Sequence, residues 1–162
     1  MKAYQVFARM APEQAVSVLN EILDKAPATY TQAVAAASAT MKARPQFLMK
    51  QSKEKRAQLV RRALSRVAAN PISEEILATY FLEVRRPLLI EWLDQVSVEH
   101  EDGILANENP AAPEQALLEK AVAAYQTGED PADRRLLLEA FASQSAIDWP
   151  ELDALLEPEA SA

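Results

Sequence analysis

Proline placement constrains this chain more than any other feature of its sequence. There are ten prolines and two glycines in 162 residues. Proline fixes φ and has no N–H, so helix interiors and central strands exclude it. The first turn of a helix accepts it, because that N–H would lack an intrahelical partner anyway. Pro12, Pro27, Pro45, Pro87, Pro113, Pro131 and Pro150 each precede apolar residues at helical spacing or a short helix-like run. Strand signals are nearly absent. There is no sustained alternation, little clustering of Val, Ile and Thr, and no Asn-Gly or Asp-Gly hairpin flanked by strands. The expected class is all-α, an irregular bundle of seven to eight helices.

The apolar spacing places these helices. Val16, Leu19, Ile22, Leu23 and Ala26 predict a helix over 12–25, and Tyr30, Val34, Ala37 and Met41 another over 28–43. The second stops near Arg44, since a residue before proline avoids the helical region. A short turn follows over 45–50. Ser52 caps a helix over 53–69 that points Ala57, Val60, Leu64 and Val67 inward, and Asn70-Pro71 stops it. Ser73 is expected to cap the next. Ile76, Leu77, Tyr80, Phe81 and Val84 then centre on one direction of a helical wheel. Leu88, Leu89, Trp92, Leu93 and Val96 centre about 120° away, so the helix is expected to break or kink at 85–87, at Pro87. Further helices are predicted over 113–127, with Gly128 as its C-terminal cap, over 131–143 behind a capping Asp130, and over 148–156. The expected organisation is a larger lobe over 1–98, an acidic loop over 99–112, a smaller acidic lobe over 113–156 and a disordered tail over 157–162. The pentapeptide Ala-Pro-Glu-Gln-Ala occurs at 11–15 and 112–116, but the core positions after it do not correspond: Leu19 meets Lys120 and Leu23 meets Ala124. It is a helix start reached twice, with no solenoid repeat behind it.

Composition narrows the function classes. No run of about eighteen apolar residues is present, so no spanning helix and no membrane partner are expected. The first residues lack the continuous apolar region of a signal peptide. With no cysteine there are no disulfides, thiolate metal sites or cysteine nucleophiles. A cytoplasmic protein is the expectation.

The only histidine lies in Glu99-His100-Glu101-Asp102-Gly103. A metal needs three or four converging ligands, and consecutive residues of an extended segment diverge. A carboxylate-bridged two-metal site wants Glu three residues before a histidine on one helix; that position is Ser97. The segment is read as a polar loop turning at Asp102-Gly103, and no metal or cofactor is expected. Two isolated glycines make neither a phosphate loop nor a dinucleotide fingerprint, and there is no Gly-x-Ser-x-Gly elbow. A metal-dependent or hydrolytic enzyme is the third-ranked expectation.

Charge carries the functional signal. Residues 42–66 hold nine basic side chains against Glu54 alone, and residues 97–162 hold fifteen acids against Lys120, Arg134 and Arg135. On the helix over 53–69, Lys55, Arg62 and Arg66 fall opposite the apolar stripe. Arg56 and Arg61 flank it, where their stems cover apolar surface. Lys42, Arg44 and Lys50 lie just upstream. The first expectation is a non-enzymatic interaction protein (an adaptor, regulator or assembly factor) with a protein partner or a second copy of itself, whose basic face meets carboxylates of its own acidic lobe or of a second subunit. The alternative is a nucleic-acid-binding protein using 42–66, with Phe47 the one interleaved aromatic. Ile147–Glu157 is an acidic amphipathic segment that either docks in a groove or closes the protein's own core, the second being preferred. Arg85-Arg86 is expected to anchor Glu83 or loop carboxylates, or to form ordinary ion pairs.

Overall fold

The computed structural model describes residues 1–157; the expected tail, Glu157 apart, lies outside the described residues. The protein is all-α, with ten α-helices among the described residues where seven to eight were expected, and a two-stranded hairpin. Proline sits in the first turn of seven of them: Pro12, Pro27, Pro45, Pro71, Pro87, Pro131 and Pro150. Pro113 does not start a helix, and Pro71 opens one where a stop was expected. No helix of the described residues is long and apolar enough to cross a membrane.

The chain divides into two compact units, Lys2–Val84 and Arg85 onward, the second also taking in Met1, whose amine pairs with Asp153 at 2.8 Å. The junction between the units falls at 84/85. Charge divides at the same place. Residues 2–84 carry twelve basic and seven acidic side chains, a formal +5, and residues 85–162 carry five and seventeen, a formal −12.

The first unit contains α1 (Ala3–Arg9), α2 (Pro12–Lys25), α3 (Pro27–Met41), α4 (Pro45–Met49), α5 (Lys53–Leu64) and α6 (Asn70–Thr79). A 3-10 turn at Val67–Ala69 precedes α6, and a π turn at Tyr80–Val84 follows it. Helix α1 was not expected, and α4 stands where a turn was expected. Seven and five residues are too few to show a periodicity. Helix α3 packs along α5, and Ala33, Ala37, Ala57 and Ala63 at this contact are buried. Small side chains allow the two backbones to approach closely. Phe7, Leu19, Ile22, Leu48, Val60, Leu64, Ile76 and Leu77 fill the space between the helices. Ser73 is not a cap: it is buried inside α6 and donates to the Leu64 carbonyl at 2.7 Å, satisfying an end carbonyl of α5.

In the second unit Arg85 leaves the helical region (φ −118°, ψ 37°) before α7 (Arg86–Gln95). The hairpin β1 (His100–Glu101) and β2 (Ile104–Leu105) follows, then α8 (Gln115–Gln126), α9 (Pro131–Ser143) and α10 (Pro150–Leu156). An edge-to-face aromatic row runs Tyr125, Trp92, Phe141, Trp149, with centroid spacings of 5.3, 6.0 and 5.0 Å. Trp149 donates from Nε1 to the Pro110 carbonyl at 2.9 Å, and with Leu152 and Leu156 it is buried. The segment 147–157 thus closes its own unit's core.

Candidate functional site

The basic stretch forms the corner where α3, α4 and α5 meet. Ser52 caps α5, accepting from the Lys55 N–H at 3.2 Å. Ala57, Val60 and Leu64 then fix one face inward, which leaves Lys55 and Arg62, seven residues apart, facing solvent. Arg66 is also exposed, just beyond the helix end.

The five arginines and lysines picked from the sequence do not act together. Arg56 is buried (5% exposed). It donates from Nε to the Tyr30 hydroxyl and from a guanidinium nitrogen to the Met49 carbonyl at 3.1 Å, with its guanidinium 5.6 Å from the Tyr30 ring centre. Arg61 donates to the carbonyls of Phe7, Ala8 and Met10, the unsatisfied C-terminal end of α1. Both hold the fold. Their flanking positions on the wheel were the available signal, since a long cation beside an apolar stripe can turn inward as readily as out.

The remaining cations are Lys42, Arg44, Lys50, Lys53, Lys55, Arg62 and Arg66, all exposed. Among the described residues none of them takes part in an ion pair. Exposed apolar groups lie among and beside these cations; of them the sequence reading had singled out Phe47 alone. Of the seven large apolar side chains exposed among the described residues, four (Met41, Phe47, Met49 and Val67) fall within 41–67. Phe47 and Met49 are half exposed, at 50% and 49%, on the short α4, whose buried anchor is Leu48.

His100 lies in an ordered hairpin, which corrects the reading of this segment as a plain loop. Asp102 and Gly103 both have positive φ, 52° and 91°, the geometry of a two-residue hairpin turn that favours Asp-Gly. Strands of two residues are too short to show alternation. The His100 side chain is 11% exposed. Its Nδ1 accepts from the Gly103 N–H at 3.1 Å, which places the ring proton on Nε2, donating to Asp94 Oδ1 at 2.7 Å. Both ring nitrogens are thereby engaged in holding the turn. Among the described residues no group of three or more His, Cys, Asp or Glu is arranged to hold a metal ion.

The other charged groups of the second unit build its framework. Arg85 pairs with Asp130 and Asp133, and Arg86 with Asp102 at 2.6 Å. Asp130, in the left-handed region, gives its carboxylate to Arg85 and does not cap α9. Arg134, 8% exposed, makes a two-point pair with Glu91 at 2.8 and 2.9 Å and donates to the carbonyls of Tyr125 and Glu129. Its guanidinium lies 4.8 Å from the Tyr125 ring centre, and the bond to Glu91 raises its pKa further. Burial pushes the Tyr125 phenol well above its ordinary value, against the opposing effect of Arg134. Gly128 is no left-handed cap; a Cβ there would overlap the Arg134 guanidinium. A cleft of about 500 Å³ opens beside Val96, Ser97, Leu117 and Lys120, and offers a single ammonium over an apolar floor.

Comparison with protein-family models, with curated proteins and with solved structures finds no match for the chain.

Proposed function

We propose that this chain is a non-enzymatic protein-interaction module whose docking surface is the basic face within 42–66. The observation that carries this reading is the set of seven exposed cations with no carboxylate partner among the described residues. Mobile, solvated cations each contribute little on their own, but a cluster facing a complementary partner sets orientation and specificity. Arg62 and Arg66 extend the surface along α5, and Lys55 begins it.

The test is charge reversal of Lys55, Arg62 and Arg66 together in the whole chain, followed by cross-linking and affinity capture with mass spectrometry. The expected result is loss of specific protein partners with thermal unfolding unchanged. Unchanged capture would defeat the reading. Nucleic acid is the second reading, favoured by exposed Phe47 among the cations, where a base could stack. Its signature is micromolar binding that falls steeply with salt and disappears in the same variant.

A further inference from the structure

Two of the corner's exposed apolar groups, Phe47 and Met49, sit on one short, fixed element with cations on either side of it. Helix α4 is held at two points: Leu48 is buried, and Arg56 takes the Met49 carbonyl. Gln51 also donates to the Phe47 carbonyl at 3.2 Å. With the backbone pinned, Phe47 and Met49 are held toward solvent, and Arg44, Lys50, Lys53 and Lys55 lie within a few residues on either side. A phenyl ring and a thioether at half exposure leave about half of their apolar area outside the core. Their contact area is available to a ligand, and Met adapts its shape to whatever apolar surface it meets.

We propose that this corner docks an acidic amphipathic segment of a partner protein, with Phe47 and Met49 meeting its apolar side chains and Arg44, Lys50, Lys53 and Lys55 its carboxylates. This rests on the interaction-module reading and names the partner's chemistry. Charge complementarity selects an anionic ligand, since Glu54 is the one acid within 42–66. The two apolar groups select a ligand with an apolar face, which the sugar–phosphate exterior of a duplex lacks. An extended polyanion or an anionic bilayer reaches past the corner and meets the field of a chain with net charge −7. A short acidic segment touches the corner alone. Anchors of this kind, a rigid aromatic beside an adaptable thioether within a charged rim, are the usual pattern of peptide grooves that take a helix.

The experiment titrates the whole chain into a fluorescent peptide of about twenty residues, with Glu and Leu at helical spacing, at about 0.15 M salt. Parallel titrations use an oligoglutamate of equal charge, a single-stranded DNA of similar length, and phosphatidylserine vesicles. The expected result is binding in the micromolar range, weakened about tenfold or more by Phe47→Ala with Met49→Ala and, separately, by Lys53→Glu with Lys55→Glu. Oligoglutamate should bind about tenfold more weakly than the amphipathic peptide. Circular dichroism and thermal unfolding establish that each variant is folded; both pairs are exposed and should melt as the wild type does. Absence of peptide binding, equal binding of oligoglutamate, indifference to the Phe47 and Met49 pair, or tighter binding of DNA or vesicles would each overturn the proposal. If partner capture still depends on Lys55, Arg62 and Arg66 in that event, the interaction-module reading survives and only this assignment of the corner falls. If capture is also indifferent to them, both fall.

Discussion

Gly128 and Arg134 show how one missing methyl group can organise a unit. The guanidinium occupies the volume a Cβ would take, and from there it reaches Glu91 and two end carbonyls near the close of α8. Gly128→Ala is expected to destabilise by about 1–3 kcal/mol in urea unfolding, because the guanidinium must be displaced. In an Arg134→Ala background the same change should cost less than about 0.5 kcal/mol, since the conflict is gone; equal costs in both backgrounds would refute the account. Tyr125 gives a second test. A phenol whose pKa is raised on folding contributes stability that is fully present below its ordinary value of 10.0 and is lost as pH rises past it. Unfolding free energy should therefore fall above pH 10 by up to about 1.4 kcal/mol per pH unit, and Tyr125→Phe should remove that part of the slope. Little of this was legible in the sequence. The Ser52 cap was, because a serine before a helical run has one obvious use. Gly128 looked like a cap because the guanidinium that needs its space arrives from six residues on, and spacing does not report volume. The bond of His100 to the Gly103 N–H was not legible, because it depends on a hairpin whose strands are two residues long.

At the scale of elements, the helix starts were the most legible feature and the short helices the least. Proline marks the start of seven helices because the first turn is the one place a helix takes it without losing a hydrogen bond. Helix α1 was missed because seven residues with three buried side chains have no readable period. What holds its end is Arg61, fifty residues away in sequence, donating to three of its terminal carbonyls. Arg61→Ala should cost about 1–3 kcal/mol and speed amide exchange in α1, because those carbonyls lose their donors. Arg61→Lys should recover only part of the loss, as one ammonium does not reproduce the guanidinium fork. The neighbouring Arg62→Ala should stay within about 0.5 kcal/mol of wild type. Two adjacent arginines with opposite outcomes would establish which face of α5 is structural and which is free for a partner; similar outcomes would undo the division of roles.

At the scale of the molecule, two units with separate cores meet at Val84 and Arg85. The all-α class was legible from proline and periodicity, and so was a break at 85–87; that a compact unit begins there was not, because the packing of α7 against α8 and α9 has no local signature. Residues 1–84 and 85–157 expressed separately should each keep helical circular dichroism and a cooperative melt; a fragment that melts without cooperativity would show its core to be incomplete alone. The charge division has a kinetic consequence. A chain of net −7 slows the approach of any anion at about 0.01 M salt, where fields reach roughly 30 Å, yet at about 0.15 M they reach only about 8 Å and the nearest charges dominate. For an acidic segment bound at the corner of α4 and α5, adding salt should first speed association, as whole-chain repulsion is screened, and slow it again once the lysines themselves are screened. Encounter rate would then pass through a maximum with ionic strength while residence time falls throughout. A chain of formal net charge −7 would in that way still take up an acidic segment once salt screens the long-range repulsion.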